Sequence, residues 1–247
     1  MNLILIGTLA SLTAGSATIV GAAFIFLLKK ISDKFLDAAM GFSGGVMLAA
    51  TFFGLITPAI RIGGVWRASV GMIVGTVFLI IIEKTLPHIH RITGVRGPSV
   101  QLKKIWLLIL AMTIHNFPEG LAVGVGFAHG DMRAGAVLAA GIGIQNVVEG
   151  LVVAIPIVRL EGNVLKAFLV ASFTCVVEPI GGFLGISIVS LGEFLIPYGL
   201  AFAGGAMLFV TSEEIIPESH SRGNARESTI GVIAGFIVMM VLESIFV

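Results

Sequence analysis

A short segment of the sequence combines metal-ligating side chains with strongly apolar surroundings. Residues 113–126 read TIHNFPEGLAVGVG and carry His115, Asn116, Pro118 and Glu119 within five residues. Positions i and i+4 share a helix face, so His115 stacks over Glu119 while Asn116 lies about 100° round the axis. An imidazole and a carboxylate on one face, with an amide on its flank, can bind a metal ion or relay a proton. Because proline lacks an N–H, Pro118 predicts a loosened, bent helix beside them.

The same pattern returns thirty residues later. HNFPEGLAV at 115–123 is matched by QNVVEGLVV at 145–153, so Gln145, Asn146 and Glu149 take the places of the histidine, asparagine and glutamate. The two copies lie near the middles of consecutive predicted helices, which must cross a membrane in opposite directions. Both polar clusters therefore fall near the bilayer midplane, the depth at which transporters built from repeats bind their substrates.

A third carboxylate, Glu178, lies midway along a later apolar stretch and directly precedes Pro179. An ionisable group at the bilayer centre costs roughly 2.5–3.5 kcal/mol on insertion scales, so Glu119, Glu149 and Glu178 would together cost on the order of 8–10 kcal/mol. That is comparable to the net stability of a whole domain. Because no Lys or Arg lies mid-span in the predicted helices, protons or a bound cation must offset this cost.

The available donors favour a borderline divalent ion. Imidazole nitrogen with carboxylate and amide oxygens suits Zn²⁺, with Fe²⁺, Mn²⁺ or Cd²⁺ as further candidates, and the absence of thiolates argues against copper(I). Met47, mid-span in the stretch GGVMLAA, can add a weak thioether contact. Glu119 and Glu149 can each bridge two ions, so the residues allow either one or two metals.

The elements that must position these residues are transmembrane helices. The chain of 247 residues is 57% hydrophobic and 12% charged, with a mean hydropathy of +1.07, whereas soluble domains are about 25% charged. Its apolar stretches come close to or exceed the roughly 20 residues that span a bilayer, and they lack the alternation of barrel strands. We predict an all-α, single-domain membrane protein of residues 1–247 with no nucleic-acid partner. The eight predicted helices comprise residues 3–28, 35–60, 66–83, 104–128, 133–158, 164–190, 194–218 and 228–247.

The distribution of basic residues predicts the orientation. Twelve of the 15 Lys and Arg residues fall in the loops after the first, third, fifth and seventh helices, and only Arg61, Arg67 and Arg133 fall elsewhere. By the positive-inside rule both termini are outside. Four polar residues then lie toward the cytoplasmic end of the seventh helix, where they form either an exit route for an ion or a solvated helix end. They are Glu213, Glu214, Glu218 and His220.

At these motifs the chain resembles the ZIP family of divalent-metal transporters, and most closely its GufA-like branch. HNFPEG resembles the family's HNxPEG motif, and QNVVEG resembles the branch's version of the partner motif. Further similar stretches are GSATIVGA, GFSGGVMLAATFFGLITPA, FTCVVEPIGGFLG and AGGAMLFVTSEEIIPE. The resemblance implies eight helices in a 3+2+3 arrangement, with the outer triplets related by an inverted repeat and both termini outside.

The resemblance also implies a pair of adjacent metal sites. The first would be formed by Met47, His115, Glu119, Gln145 and Glu149. The second would be formed by Asn116, Glu119, Asn146, Glu149 and Glu178. Two residues depart from the family pattern: Asn146 stands where some members have aspartate, which removes a charge from the second site, and Val148 replaces the usual proline.

We therefore expect a transporter, not an enzyme, that moves Zn²⁺ or a similar ion toward the cytoplasm across a prokaryotic inner membrane. One alternative is an intramembrane hydrolase in which a glutamate activates zinc-bound water, although His115 is the only mid-span histidine and hydrolytic zinc usually takes two or more. Another is a proton-coupled carrier of a different solute. The sequence does not decide between a monomer and a homodimer.

Overall fold

The computed structural model describes residues 2–27, 31–86, 88–90, 94–96, 104–128 and 130–246. Its α-helices are α1 (Leu3–Ala23), α2 (Asp33–Ala49), α3 (Thr57–Thr85), α4 (Lys104–Gly126), α5 (Met132–Glu161), α6 (Val164–Thr174), α7 (Val177–Val189), α8 (Ile196–Val210), α9 (Ile216–Ser219) and α10 (Ala225–Phe246). Short 3-10 turns cover Phe24–Phe26 and Glu193–Leu195, and π-helical segments cover Ala50–Ile56 and Thr211–Ile215. Strands β1 (His88–His90) and β2 (Gly94–Arg96) pair antiparallel, with His88 opposite Arg96.

Four of the basic residues on which the orientation prediction depends lie outside the described residues. They are Lys29, Lys30, Arg91 and Lys103.

Six helical runs of the described chain are long and apolar enough to cross a membrane. One of them, Asp33–Thr85, has 53 residues and would measure about 80 Å as a straight helix, more than twice the hydrocarbon thickness of about 30 Å. It is interrupted at Gly64, whose φ of 77° and ψ of 166° are not helical. Glycine tolerates a positive φ because it has no Cβ. A break at one residue thus replaces the loop predicted between the second and third helices.

Side chains cap several helices where the sequence predicts a start. Asn2 accepts from the N–H groups of Ile4 and Leu5, and Asn163 accepts from that of Lys166 at the start of α6. Ser32 and Asp131 cap α2 and α5 in the same way. Each cap satisfies N–H groups that have no partner within the helix, which fixes the point at which the helix begins.

The predicted sixth helix, residues 164–190, is broken into α6 and α7 at residues 175–176. Prolines lie in both this segment and α4, but only this segment is interrupted. Pro179 falls in the first turn of α7, where a missing N–H costs nothing, and the Glu178 N–H bonds instead to the carbonyl of Cys175 at 3.3 Å. Pro118 lies in the interior of α4, which stays helical on both sides of it. The break places Glu178 at the start of a helix rather than in the middle of one.

The helices pack in two groups. The first group contains α1, α4, α5, α6 and α7, and the second contains α2, α3, α8, α9 and α10. Within each group glycines bring backbones into direct contact: Gly150 faces the Thr18 carbonyl in the first, and Gly45 faces the Val232 carbonyl in the second. Between the groups the glycines meet side chains, as Gly141 of α5 meets the thioether of Met239 in α10. Each group is therefore tightly packed internally, and side chains separate the two.

A second sequence repeat, not recognised from the motifs above, becomes visible once α2 and α8 are compared. GGVMLAAT at 44–51 matches GGAMLFVT at 204–211 in the pattern Gly-Gly-x-Met-Leu-x-x-Thr. Each copy runs into a π-helical segment, and the two copies touch where the Thr211 hydroxyl lies 3.8 Å from the Met47 sulfur. Met47 and Met207 are both fully buried. The repeat relates the second predicted helix to the seventh.

The glycine contacts predict a position-specific effect of adding a methyl group. Gly45→Ala would drive its Cβ into the Val232 carbonyl, whereas at Gly143 the nearest atom to a new Cβ is the Ala14 Cα at 3.8 Å. Both substitutions gain helix propensity, about 1 kcal/mol. We expect Gly45→Ala to lower the thermal midpoint of the detergent-solubilised protein by about 2–10 °C and Gly143→Ala to leave it unchanged or higher. Equal midpoints for the two variants would contradict the close approach of α2 and α10.

Candidate metal centre

Seven of the eight metal-ligand candidates lie on the first helix group and are buried together. Glu119, Gln145, Asn146 and Glu178 are completely buried, Asn116 is 1% exposed, and His115 and Glu149 are each 6% exposed. α4 contributes three of them, α5 three and α7 one. The Gly120 backbone lies against the Glu178 carbonyl, so the close packing of α4 on α7 brings the Glu178 backbone up to the motif. The eighth candidate, Met47, is buried on α2 of the second group.

Glu178 is surrounded by amide donors. The Asn146 side-chain nitrogen lies 3.1 and 3.0 Å from its two carboxylate oxygens and also donates to the Ala14 carbonyl at 3.0 Å. The Asn116 nitrogen donates to the same carboxylate at 3.4 Å and to the Thr174 carbonyl at 3.2 Å. Neutral amides thus replace part of the water that this carboxylate would lose on burial. Both asparagines turn their donors toward Glu178, the carboxylate that the second predicted site would use.

Glu119 has very different surroundings. Among the described residues neither of its carboxylate oxygens accepts a hydrogen bond of good geometry, although the Gln145 amide lies next to it. Two further carboxyl groups, those of Glu149 and Glu178, lie near enough to repel a charge on it when they are ionised. A completely buried carboxylate without adequate donors requires an explanation, and a bound cation supplies one, since it would remove both the desolvation cost and the mutual repulsion.

Further candidate ligands also carry unpaired acceptor atoms. In the described part of the chain, buried atoms without hydrogen-bond partners include the Nδ1 of His115, the Oδ1 atoms of Asn116 and Asn146, and the Oε2 of Glu149. The other oxygen of Glu149 accepts from the Ser43 hydroxyl at 2.6 Å. Nitrogen and oxygen acceptors of this kind are the ligands that zinc and similar ions take in proteins. The donor set therefore fits a divalent cation.

Glu214 is brought to this centre from the second helix group. Its carboxylate pairs with the Nε2 of His115, and the residue is 4% exposed. The sequence grouped it with Glu213 toward the cytoplasmic end of the seventh helix, as part of either an exit route or a solvated helix end. Glu213 does lie exposed, but the π-helical segment holds its neighbour against the first motif. Ser43, like Glu214, was not predicted as part of the centre. The side chains of both residues belong to the second helix group and contact residues of the first.

Glu218 and His220, the other two exit-route candidates, belong to a separate polar cluster. Glu218 pairs with Arg222 at 3.4 Å, and Arg222 pairs with the fully buried Asp37 at 2.5 Å. His220 bonds to the hydroxyls of Ser219, Ser228 and Thr229. The cluster joins the start of α2 to the start of α10. The exit route stays a prediction for these residues and for Glu213.

The buried side chains of the centre do not form a complete set of metal ligands in this conformation. Within the described ranges no three His, Cys, Asp or Glu side chains are arranged to hold a metal ion. At His115 the Nε2 pairs with Glu214, while the Nδ1 has no partner among the described residues. An ion that binds here must use amide or thioether ligands as well, or displace the carboxylate of Glu214 from the ring.

A polytopic helical bundle with a buried carboxylate, imidazole and amide centre defines a class of membrane protein that handles cations. The family model of the ZIP zinc transporters matches residues 96–243. The chain is 40% identical to the zinc transporter GufA of Myxococcus xanthus, with 96% of this chain and 97% of that protein aligned. It is 37% identical to the zinc transporter ZIPB of Bordetella bronchiseptica over 93% of this chain and 77% of that protein, and 32% identical to human zinc transporter ZIP11 over 92% and 93%. The chain belongs to the ZIP family.

The hydrogen bonds around Glu178 predict the effect of restoring an acid at position 146. Asn146→Asp would replace an amide donor by a second carboxylate facing Glu178. We expect the metal-free variant to lose about 1.5–3 kcal/mol of stability and Zn²⁺ to restore it, with elemental analysis giving more bound zinc than in the wild type. Asn163→Asp is the matched control, because an aspartate there keeps the cap of α6. Unchanged stability and zinc content for Asn146→Asp would contradict the assigned role of the amide.

The pairing of Glu214 with His115 predicts unequal effects at two adjacent glutamates. Glu214→Gln removes a buried negative charge beside the centre, whereas Glu213→Gln alters an exposed side chain one residue away. A residue that hydrogen-bonds to a metal ligand typically changes metal affinity about 10- to 100-fold when it is replaced. We therefore expect Glu214→Gln to weaken Zn²⁺ binding about tenfold or more and Glu213→Gln to change it less than about twofold. Isothermal titration of the purified variants measures both. Equal losses at the two positions would place Glu214 outside the centre.

Proposed function

We propose that this protein carries Zn²⁺, or a chemically similar divalent ion such as Fe²⁺, Mn²⁺ or Cd²⁺, across a membrane toward the cytoplasm. The observation that carries the proposal is Glu119, a completely buried carboxylate without good hydrogen-bond donors among the described residues, beside two further carboxylates. Membership of the ZIP family supports zinc as the preferred substrate. The family is one of transporters, which argues against the alternative of an intramembrane hydrolase.

The proposed topology has eight spans in a 3+2+3 arrangement, with both termini outside. Counting Asp33–Thr85 as two spans at the Gly64 break, α6 with α7 as one, and α8 with α9 as one gives eight in total. The repeat shared by α2 and α8 supports an inverted relation between the outer triplets, since it matches the second span to the seventh. The bacterial relatives support a prokaryotic inner membrane.

The proposed transport step is a movement of one helix group against the other. Seven candidate ligands belong to the first group, whereas Ser43 and Glu214 contact Glu149 and His115 from the second, to which the eighth candidate, Met47, also belongs. Because backbones meet within the groups and side chains separate them, the boundary between the groups is the natural plane of movement. The seven ligands would keep their mutual geometry while their contacts with the second group exchange, which would expose the ion first to one side and then to the other.

The number of bound ions that we propose follows from the hydrogen bonds available at the two predicted sites. The first, formed by Met47, His115, Glu119, Gln145 and Glu149, contains the carboxylate without good donors. At the second, the Asn116 and Asn146 donors already face Glu178. We therefore propose that one ion binds at the first site and that amide hydrogen bonds take the place of a second ion.

Ion flux tests this function directly. Purified protein is reconstituted into liposomes that contain a zinc-sensitive dye, and Zn²⁺ is added outside. Glu119→Gln and Glu149→Gln keep the side-chain shape but remove the charge, so we expect flux to fall at least about 100-fold, the upper end of effects at metal-site partners. Glu193→Gln, at an exposed position, should retain wild-type flux. Full flux in either buried variant would show that the ion passes elsewhere.

A further inference from the structure

The Ser43 hydroxyl makes an uncommon contact for a polar group on a membrane-spanning helix. Many hydroxyls of the described helices donate to a carbonyl of the preceding turn, as those of Thr8, Thr113 and Thr211 do, which is the usual way to satisfy such a group within a helix. The Ser43 hydroxyl instead donates to a carboxylate oxygen of Glu149 at 2.6 Å, a length typical of a hydroxyl bound to a carboxylate. Ser43 therefore satisfies a candidate metal ligand rather than its own helix.

The two ends of this hydrogen bond are fixed to different helix groups. On one side Gly150, the residue after Glu149, packs its backbone against α1 of the first group. On the other side Gly45, two residues after Ser43, packs its backbone against α10 of the second group. Because two oxygens more than about 3.5 Å apart no longer form a hydrogen bond, a displacement of about 1 Å along the bond is enough to break it. The contact is therefore made only when the two groups lie close to the arrangement observed.

The hydrogen bond leaves one oxygen of Glu149 for an ion. The Oε1 accepts from Ser43, whereas the Oε2 has no hydrogen-bond partner among the described residues. A hydrogen bond to a metal ligand fixes the orientation of that ligand, and losing it typically lowers metal affinity about 10- to 100-fold. In the described part of the chain no comparable hydroxyl bonds to Glu119. Of these two glutamates, Glu149 is thus the one that the second helix group orients.

We propose that Ser43 is a positioning residue of the metal site, whose hydroxyl orients the Glu149 carboxylate toward the ion only while the two helix groups keep this arrangement. This role rests on the proposed function and adds to it a contact that links ion affinity to the relative position of the groups. When the groups move apart at this point, Glu149 loses its orienting bond and the site holds the ion less tightly. The movement that exposes the ion thus also weakens its binding.

Three variants separate the hydroxyl from the rest of the side chain. Ser43→Ala removes the hydroxyl, whereas Ser43→Thr keeps it and adds a methyl group. Ser43 lines a cavity of about 40 Å³ with an almost wholly apolar surface, and one water-sized sphere needs only about 10–15 Å³, so the added methyl group has room. Ser228→Ala is the matched control, because Ser228 is completely buried and donates at 2.6 Å to Ser219, also in the second group.

Calorimetric titration of the purified variants with Zn²⁺ measures the effect on affinity. We expect Ser43→Ala to bind Zn²⁺ about tenfold more weakly than the wild type, Ser43→Thr to stay within about threefold and Ser228→Ala within about twofold. An affinity of Ser43→Ala within about twofold of the wild type overturns the positioning role. Equal losses in the alanine and threonine variants overturn it as well, since the hydroxyl would then make no difference.

Flux into dye-loaded liposomes separates positioning from a structural role. Ser43→Ala should raise the KM for Zn²⁺ about tenfold and change the maximal flux per folded protein less than about threefold, because the hydroxyl acts on binding. A fall in maximal flux and in thermal midpoint at unchanged KM would show a structural role and overturn the proposal, while leaving the proposed function intact. Absence of Zn²⁺ flux in the wild type overturns the proposed function, and the calorimetric comparison then still tests the hydrogen bond.

Discussion

The structure depends on the burial of three carboxylates in a bundle where no described Lys or Arg pairs with them. In a medium of low polarity each charge needs donors, a proton or a cation. Glu178 receives two amides and Glu149 a hydroxyl, but Glu119 has only the neighbouring Gln145. A divalent cation in contact with Glu119 and Glu149 would resolve the imbalance, which is why the centre is best explained as a place for cargo.

In the transport step that we propose, the two helix groups let the centre release what it binds. Here seven candidate ligands belong to one group, while Ser43 contacts Glu149 and Glu214 contacts His115 from the other. Contacts across the boundary are made by side chains, and side chains can exchange partners at lower cost than interlocked backbones.

The sequence alone predicts the centre better than its surroundings. The spacing of His115, Glu119, Gln145 and Glu149 is local information, because i and i+4 positions share a helix face, and the structure buries all four. The contact of Glu214 with His115 depends on tertiary packing and on a π-helical segment, which changes the faces that the following residues present. The pairing of Asp37 with Arg222 was missed for a similar reason: the two residues lie 185 positions apart. The sequence predicts a loop between helices at residues 35–60 and 66–83, and in the structure a single non-helical residue, Gly64, interrupts the helix in that interval.

The most direct measurement is the location of zinc in crystals of the protein grown with Zn²⁺, by anomalous scattering at the zinc edge. We expect one strong peak between the His115–Glu119 turn of α4 and the Gln145–Glu149 turn of α5, within bonding distance of both glutamates. A much weaker peak, or none, should lie beside Glu178 where the asparagine donors face it. Zinc bound only at surface residues, with Glu119 still buried and unoccupied, would contradict a cation site at the midplane.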